Sequence, residues 1–258
     1  MLPEDNAFLF GVLKLAKATP NSQGRHTFGG NTPFRGATRE DCDGLLVHHL
    51  YSLDLADPAL PFSPPGLKSL PLLYCFDFRA NTIGYRFSTD DSLQFFFDRS
   101  DPNLSSEEEW PYEDYPERFP RVPMSITPVP YNPQDPEDVY AWAGIFGMDH
   151  ISKEGEELLQ KKAHESARLW QQDAPQTREE LSDYLDMPFS QGRPTSRCMN
   201  PLCEYSQQDR RNQLRTIAIV PNCPTKETYL FGKYEDDVIL IFQMCEKCQT
   251  IRVSNQCT

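Results

Sequence analysis

Two close pairs of cysteines near the C-terminal end constrain this chain more than any other feature. Cys198 and Cys203 form a C-x4-C pattern, and Cys245 and Cys248 form a C-x2-C pattern. Two such pairs on separate turns can bring four sulfurs around one point, at the ~2.3 Å that Zn²⁺ requires. The spacing therefore predicts a four-cysteine zinc site that resembles a zinc ribbon.

The predicted site is structural, because four thiolates complete a tetrahedral shell and leave no position for a reactive water. Asn200 and Pro201 are turn-forming residues and favour a tight turn between the first two cysteines. The stretch between the pairs, residues 204–244, is long for a ribbon but has room for two or three strands. We expect the zinc to stabilise the fold.

Two other uses of these cysteines stay open. A C-x2-C pair also occurs in redox motifs, at the start of a helix in a thioredoxin-like unit. Here it follows the apolar run Val238–Phe242 and precedes the strand-like run Gln249–Val253, so the redox alternative is weaker. Four free thiols are the second alternative. The remaining cysteines are less suited as ligands; they are Cys42, Cys75, Cys223 and Cys257.

Net charge and hydropathy limit the cellular location and the kinds of partner that we expect for this chain. Lys and Arg number 25 and Asp and Glu 38, which gives a net charge of −13. A chain this acidic repels phosphate, and no apolar run approaches the ~20 residues of a membrane span, so we expect neither a nucleic-acid nor a membrane partner. Met1–Asp5 show no features of a secretory signal, which predicts a cytoplasmic, reducing location where thiols stay free or bind metal.

Residues 98–136 are acidic and rich in proline. They hold nine of the 23 prolines, and nine acidic residues against three arginines. Such a segment is typical of a solvated loop or of a surface that binds a basic protein. For the second possibility the candidate contact residues are acids interleaved with aromatics: Glu107, Glu108, Glu109, Trp110, Tyr112 and Tyr115.

The strand-like and helical sequence patterns predict a mostly β, α+β protein. Strand-like runs lie at 45–53, 71–79, 92–98, 213–220, 228–231 and 238–244, residues 6–17 suit a helix or a strand, and 20–44 read as loop. Helical patterns lie at 135–146, 153–172 and 178–185. Leu159, Ala163, Ala167 and Trp170 share one face of the second, and a Thr177–Glu180 capping box starts the third.

Motifs between residues 29 and 76 carry a resemblance. They are Gly29-Gly30-x-x-Pro33, Cys42-x-Gly44-Leu45-Leu46, Leu50-x-x-Leu53-Asp54-Leu55 and Leu70-Pro71-Leu72-Leu73-Tyr74. The chain resembles the YwqG-like family of uncharacterised bacterial proteins, distantly similar to chaperones of the programmed-cell-death-protein-2 type. Only Cys42 precedes Gly44, so we expect no second metal site there, and the C-terminal cysteines depart from the family pattern.

The resemblance implies a mostly β, α+β fold, with two antiparallel or mixed sheets packed together. We predict a helical insertion at about 137–187 and two parts. Residues 1–136 form a β-rich half that includes the acidic loop, and 137–258 form helices followed by a β half with the four-cysteine site; the two could also be continuous.

We expect no catalytic residue, because the family motifs mark the fold and no nucleophile or phosphate-binding motif is found. The predicted function is a protein-interaction module of an immunity-like or chaperone-like kind. An enzyme with a dispersed active site and a Cys245/Cys248 redox protein are the alternatives. The sequence leaves the oligomeric state open.

Overall fold

The computed structural model describes residues 7–11, 14–30, 46–76, 82–89, 92–97, 115–146, 148, 151–184, 197–207, 214–232 and 238–257. By their contacts, these form two compact units. A helical unit spans Val129–Pro194. A sheet unit is built from Glu4–Pro128 together with Thr195–Cys257, so it draws on both predicted parts of the chain.

The sheet unit contains eleven strands in its described part. In chain order they are β1 Phe8–Gly11, β2 Lys14–Pro20, β3 His26–Phe28, β4 Val47–Asp54, β5 Ser69–Cys75, β6 Thr82–Thr89, β7 Ser92–Phe97, β8 Val122–Val129, β9 Leu214–Pro221, β10 Val238–Cys245 and β11 Ile251–Cys257. They join into one sheet in the order β5-β4-β3-β8-β2-β1-β9-β10-β11-β6-β7.

One sheet replaces the two packed sheets that we expected. β1 and β9 pair antiparallel, with Phe8 opposite Ile219 and Leu9 opposite Ala218, and this pairing joins the N-terminal strands to the C-terminal ones. The sheet is also curled, because β5 at one edge contacts β6 beside the other edge. The Tyr85 hydroxyl on β6 donates a hydrogen bond of 2.9 Å to the Pro71 carbonyl on β5.

The core of this unit is apolar and rich in aromatic rings. β10 is an apolar run buried on both faces, as expected of a strand in the middle of a sheet, and Leu240 and Phe242 are fully buried. Phe76 and Phe119 are buried against the ring of His48, at centroid distances of 5.0 Å and 5.6 Å, and Phe28 packs on Phe119 at 5.7 Å.

Several local predictions need correction. The predicted strand at 228–231 is an irregular segment with one isolated bridge between Thr225 and Thr228. The predicted loop at 20–44 contains β3, and the proline-rich segment 98–136 contains β8. Of the two alternatives for residues 6–17, the strand is the one observed in the described part, as β1 and the first half of β2.

The helical unit contains α1 Pro136–Phe146, α2 Lys153–Trp170 and α3 Arg178–Tyr184, close to the predicted ranges. The capping box is confirmed, because the Glu180 N–H donates to Thr177 Oγ1 and the Thr177 N–H donates to the Glu180 carboxylate, each at 3.1 Å. Leu159 and Ala163 are buried as predicted, but Trp170, at the last turn of α2, is 74% exposed.

Candidate metal centre

The first cysteine pair lies on a tight turn fixed by Asn200. The Asn200 side-chain Oδ1 accepts a hydrogen bond from the Leu202 N–H at 3.1 Å, and the Asn200 backbone carbonyl accepts one from the Cys203 N–H at 3.0 Å. Asn200 is only 3% exposed, although its partner Leu202 is 90% exposed, so the asparagine forms the buried inner side of the turn. The turn that was predicted from Asn200 and Pro201 therefore forms, and it orients Cys198 and Cys203 to the same side.

The second pair lies on the turn between β10 and β11. Cys245 is the last residue of β10, and its N–H donates to the Thr250 carbonyl at 2.8 Å. The Gln249 N–H donates to the Cys245 carbonyl at 2.9 Å, with Gln249 in the left-handed conformation at φ 59°. Cys248 is therefore held over Cys245 by a closed hydrogen-bonded turn.

The four sulfurs converge. Every pair among Cys198, Cys203, Cys245 and Cys248 lies within 4.8 Å. The Sγ–Sγ distance is 3.4 Å between Cys198 and Cys248 and 3.8 Å between Cys203 and Cys245. A disulfide requires ~2.05 Å, whereas a tetrahedral zinc with ~2.3 Å bonds places its sulfurs about 3.8 Å apart. The predicted grouping is confirmed, and these four residues can hold a metal ion.

Backbone N–H groups are directed at three of the sulfurs. The Asn200 N–H donates to Cys198, the Tyr205 N–H to Cys203, and the N–H groups of Lys247 and Cys248 to Cys245. Such donors stabilise a thiolate, which is the form that binds a metal. The turns thus supply both the ligands and part of the compensation for their negative charge.

The surroundings shift the pKa values of Cys198, Cys203 and Cys245 in different directions. A hydrogen bond from Cys198, together with the backbone donors, lowers the pKa of Cys245 to about 5. The same Cys245 contact and burial raise the pKa of Cys198, and burial raises that of Cys203. The cluster therefore favours a thiolate at Cys245.

Side chains around the cluster join the two turns. Lys247 on the second turn forms an ion pair with Glu204 on the first, and its ammonium group lies 6.0 Å from the centre of the Tyr205 ring. The Thr250 hydroxyl lies 3.1 Å from the Cys248 sulfur. Thr250 was missed in the sequence, although its place two residues after the C-x2-C pattern is a signal that could have identified it.

The first turn also packs on the sheet through Gly84. A Cβ on this buried β6 residue would lie 2.7 Å from the Cβ of Met199, inside the C-x4-C turn. Glycine is therefore required for the turn to approach the strand this closely.

The other cysteines lie apart from this cluster where the structure describes them. The Cys223 thiol donates to the Thr225 carbonyl at 3.0 Å, and Cys75 is buried in the core. Cys257 lies at the end of β11, opposite Val238 at the far end of β10 from Cys245. Cys42 lies outside the described residues.

The candidate partner surface falls mostly outside the described residues, which do not include Glu107, Glu108, Glu109, Trp110 and Tyr112. Tyr115 is described, and it is buried. Its hydroxyl donates a 2.6 Å hydrogen bond to the Leu230 carbonyl, and its ring packs at 5.4 Å from that of His48. In this structure Tyr115 therefore serves the core of the sheet unit and is not exposed to a partner.

No family model, curated protein or solved structure matches this chain. Within the described residues, no helix has the length and apolarity needed to cross a membrane. The resemblance to the YwqG-like family therefore stays a prediction.

Proposed function

We propose that this chain is a non-enzymatic protein-interaction module whose sheet is stabilised by one structural zinc ion. The ligands are Cys198, Cys203, Cys245 and Cys248. The observation that carries the metal assignment is the convergence of these four sulfurs within 4.8 Å, without a disulfide, on two turns whose N–H groups are directed at them.

Zinc is the metal that this donor set favours. Four thiolates at tetrahedral spacing select zinc or an iron–sulfur centre, and structural zinc sites use this closed set of ligands. The site is largely buried, with only Cys248 half-exposed. A closed and buried ion stabilises the two turns against the unfolded chain, because the metal binds the folded arrangement far better.

Substitution of single ligands tests the metal site. Cys203→Ser and Cys245→Ser should each reduce bound zinc from about one ion per chain to well below half, and lower the melting temperature by about 5 °C or more. Cys223→Ser is the matched control, since Cys223 lies apart from the cluster. Elemental analysis and thermal unfolding measure both quantities. Equal zinc content in all three variants would contradict the assignment, and iron in place of zinc would correct the metal.

The acidic charge supports the interaction part of the proposal. The chain carries a net charge of −13, and residues 98–136 hold nine acidic residues against three arginines. Charge of one sign accelerates encounter with a partner of opposite sign and discriminates against acidic competitors. We propose that Glu107–Glu109, with Trp110 and Tyr112, contact a basic protein, as an immunity protein or a dedicated chaperone would.

Affinity purification from the native host tests this surface. The variant Glu107→Gln, Glu108→Gln, Glu109→Gln should lose the basic proteins that the original chain enriches. The control variant Glu157→Gln, Glu165→Gln, Glu227→Gln has the same change of charge at exposed positions elsewhere and should keep them. Enrichment that is unchanged in the first variant, or that contains no basic protein, would contradict the proposal.

A redox role is the second candidate, because the lowered pKa of Cys245 also suits a reactive thiol. Thiol titration separates the two. A metal site gives four slow thiols that become reactive when a chelator is added, whereas a redox pair gives two fast thiols with or without a chelator.

A further inference from the structure

A pocket of about 350 Å³ lies beside the C-x2-C turn, on the side of Cys245. The loop Ser63–Pro65 forms one wall, and residues of β9 and of the end of β10 form the other. Pro64, Pro65 and Met244 give it an apolar lining. Four of the eight lining residues are polar or charged, so the pocket combines an apolar wall with converging polar groups, as small-molecule sites do.

Arg215 supplies the charged group of this pocket. Its Nε is buried and has no hydrogen-bond acceptor among the described residues. The nearby carboxylate of Glu246 lies 4.0 Å from Nη1, which is too long for a hydrogen bond. The side chain is 32% exposed, so the guanidinium is reachable from outside. A buried donor without an acceptor is unfavourable, and it is satisfied if the guanidinium turns one edge to an anion.

We propose that this pocket binds a carboxylate group attached to a small apolar body, with Arg215 as its principal contact. A guanidinium offers two parallel N–H groups whose geometry matches a carboxylate. Ser63 and Gln249 line the pocket and add neutral polar groups, and the prolines and Met244 accept the apolar body. The volume is at the small end of ligand sites, which suits one side chain and its carboxylate.

Both the net charge of the chain and the acidic groups at the pocket favour a singly charged ligand. The whole chain carries −13, which opposes a strongly charged anion such as a phosphate. Glu246 and Cys245 also line the pocket, so an incoming carboxylate meets the negative charge of the cysteine cluster and must compete with Glu246 for Arg215. A single carboxylate meets less repulsion than a dianion and still satisfies the guanidinium.

Two sources carry this chemistry: the C-terminus of a peptide and a free small acid. Three probes distinguish them: acetyl-Gly-Leu with a free carboxylate, its C-terminal amide, and isocaproate. Binding is followed by NMR on the full chain as purified, through the Arg215 Nε–H signal and the backbone signals of Met244 and Gln249. The acid forms should shift these signals, and the amide should not.

Variants separate a built site from a general charge effect. Arg215→Gln should weaken binding about tenfold or more, and Glu246→Gln should strengthen it about two- to fivefold by removing a competitor. Lys226→Gln, at an exposed site elsewhere, is the control and should bind unchanged. Arg215→Lys keeps the charge without the planar fork and should also bind more weakly, which covers the case in which the glutamine variant does not fold.

Tighter binding of acetyl-Gly-Leu than of isocaproate would assign the pocket to peptide C-termini, and equal binding to small acids. Equal binding of the acid and the amide would overturn the proposal, as would unchanged binding in Arg215→Gln. Because Cys245 lines the pocket, each protein's zinc content is measured beside its binding, and failure here and failure of the metal site are then distinguishable.

Discussion

His48 is a buried base in the aromatic core. Its Nε2 donates to the Pro116 carbonyl at 2.9 Å, and Nδ1 has no partner among the described residues. Burial lowers the pKa of His48 to about 4, against the opposing effects of this hydrogen bond and of the Glu117 charge. The imidazole is therefore neutral in the folded protein at physiological pH, and its role is to pack and to hold the segment after Tyr115.

The sign of the His48 shift predicts a loss of stability in mild acid. Because the pKa is about 4 when folded and ~6.5 when unfolded, the unfolded chain binds more protons between these values. The contribution is fully present above pH 6.5 and is lost as pH falls toward 4. Between pH 7 and pH 5 it amounts to about 2 kcal/mol.

Urea unfolding at the two pH values measures this contribution. In His48→Phe the fall in unfolding free energy should be smaller by that amount, while metal release affects both proteins alike. An identical fall in both proteins, or an NMR titration of His48 near 6.5, would contradict the account.

The hydrogen bonds of the buried His26 could not be predicted from the sequence. Its Nδ1 accepts the Asp54 N–H at 3.0 Å, so its Nε2 carries the proton that is donated to Asp57 at 2.8 Å. Burial would raise the pKa of Asp57, but the Ala59 N–H and His26 together hold it below its usual value. These partners lie 28 and 31 residues from His26, and no local pattern indicates such a pairing.

At the scale of helices and strands, short-range motifs predicted structure correctly, whereas the high proline content of residues 98–136 gave a wrong prediction of loop. The capping box at Thr177 depends on residues three apart, so it can be read directly. β8 was not predicted because prolines surround it, although Val122, Met124 and Ile126 alternate as a strand requires. Pro123 is tolerated in β8, where its carbonyl accepts the Asn21 N–H at 2.9 Å.

Gly84 predicts a coupling between β6 and the metal turn. In Gly84→Ala, the new methyl would lie 2.7 Å from the Met199 Cβ, so the C-x4-C turn must shift. We expect a loss of about 1–3 kcal/mol of unfolding free energy and weaker zinc retention against a chelator. Gly66→Ala is the control for zinc retention, because its Cβ would meet nothing within 4 Å; its positive φ costs about 1–2 kcal/mol of backbone strain, so the two variants are compared by zinc retention and not by stability. Zinc retention that is the same in both variants would show that the turn does not depend on β6.

At the scale of the whole sheet unit, the order of strands was beyond the sequence. The C-terminal strands β9–β11 lie between β1 and β6, and no periodicity in one segment indicates which distant strand will pair with it. The four metal ligands were predictable because each pair is set by a local turn. Their convergence follows from the pairing of β9, β10 and β11, in which Leu214 lies opposite Cys245.

The hydrogen bonds of Tyr85 join β6 to β5, and removing them measures how much this contact contributes to the free energy of unfolding. Its buried hydroxyl donates to the Pro71 carbonyl at 2.9 Å and accepts the Leu73 N–H at 3.3 Å. Tyr85→Phe leaves both groups on β5 unpaired, which should cost about 1–3 kcal/mol and speed hydrogen exchange at the Leu73 amide. Tyr184→Phe, in the helical unit, is the control. Unchanged exchange at Leu73 would mean that this contact does not close the sheet.

The metal content of the unmodified chain tests the central claim most directly. Protein purified without chelator should contain about one zinc per chain by elemental analysis, and four of its eight thiols should become reactive only when a chelator is added. The melting temperature should fall in the same step. A chain free of bound metal, with Cys198, Cys203, Cys245 and Cys248 all reactive from the start, would contradict the account.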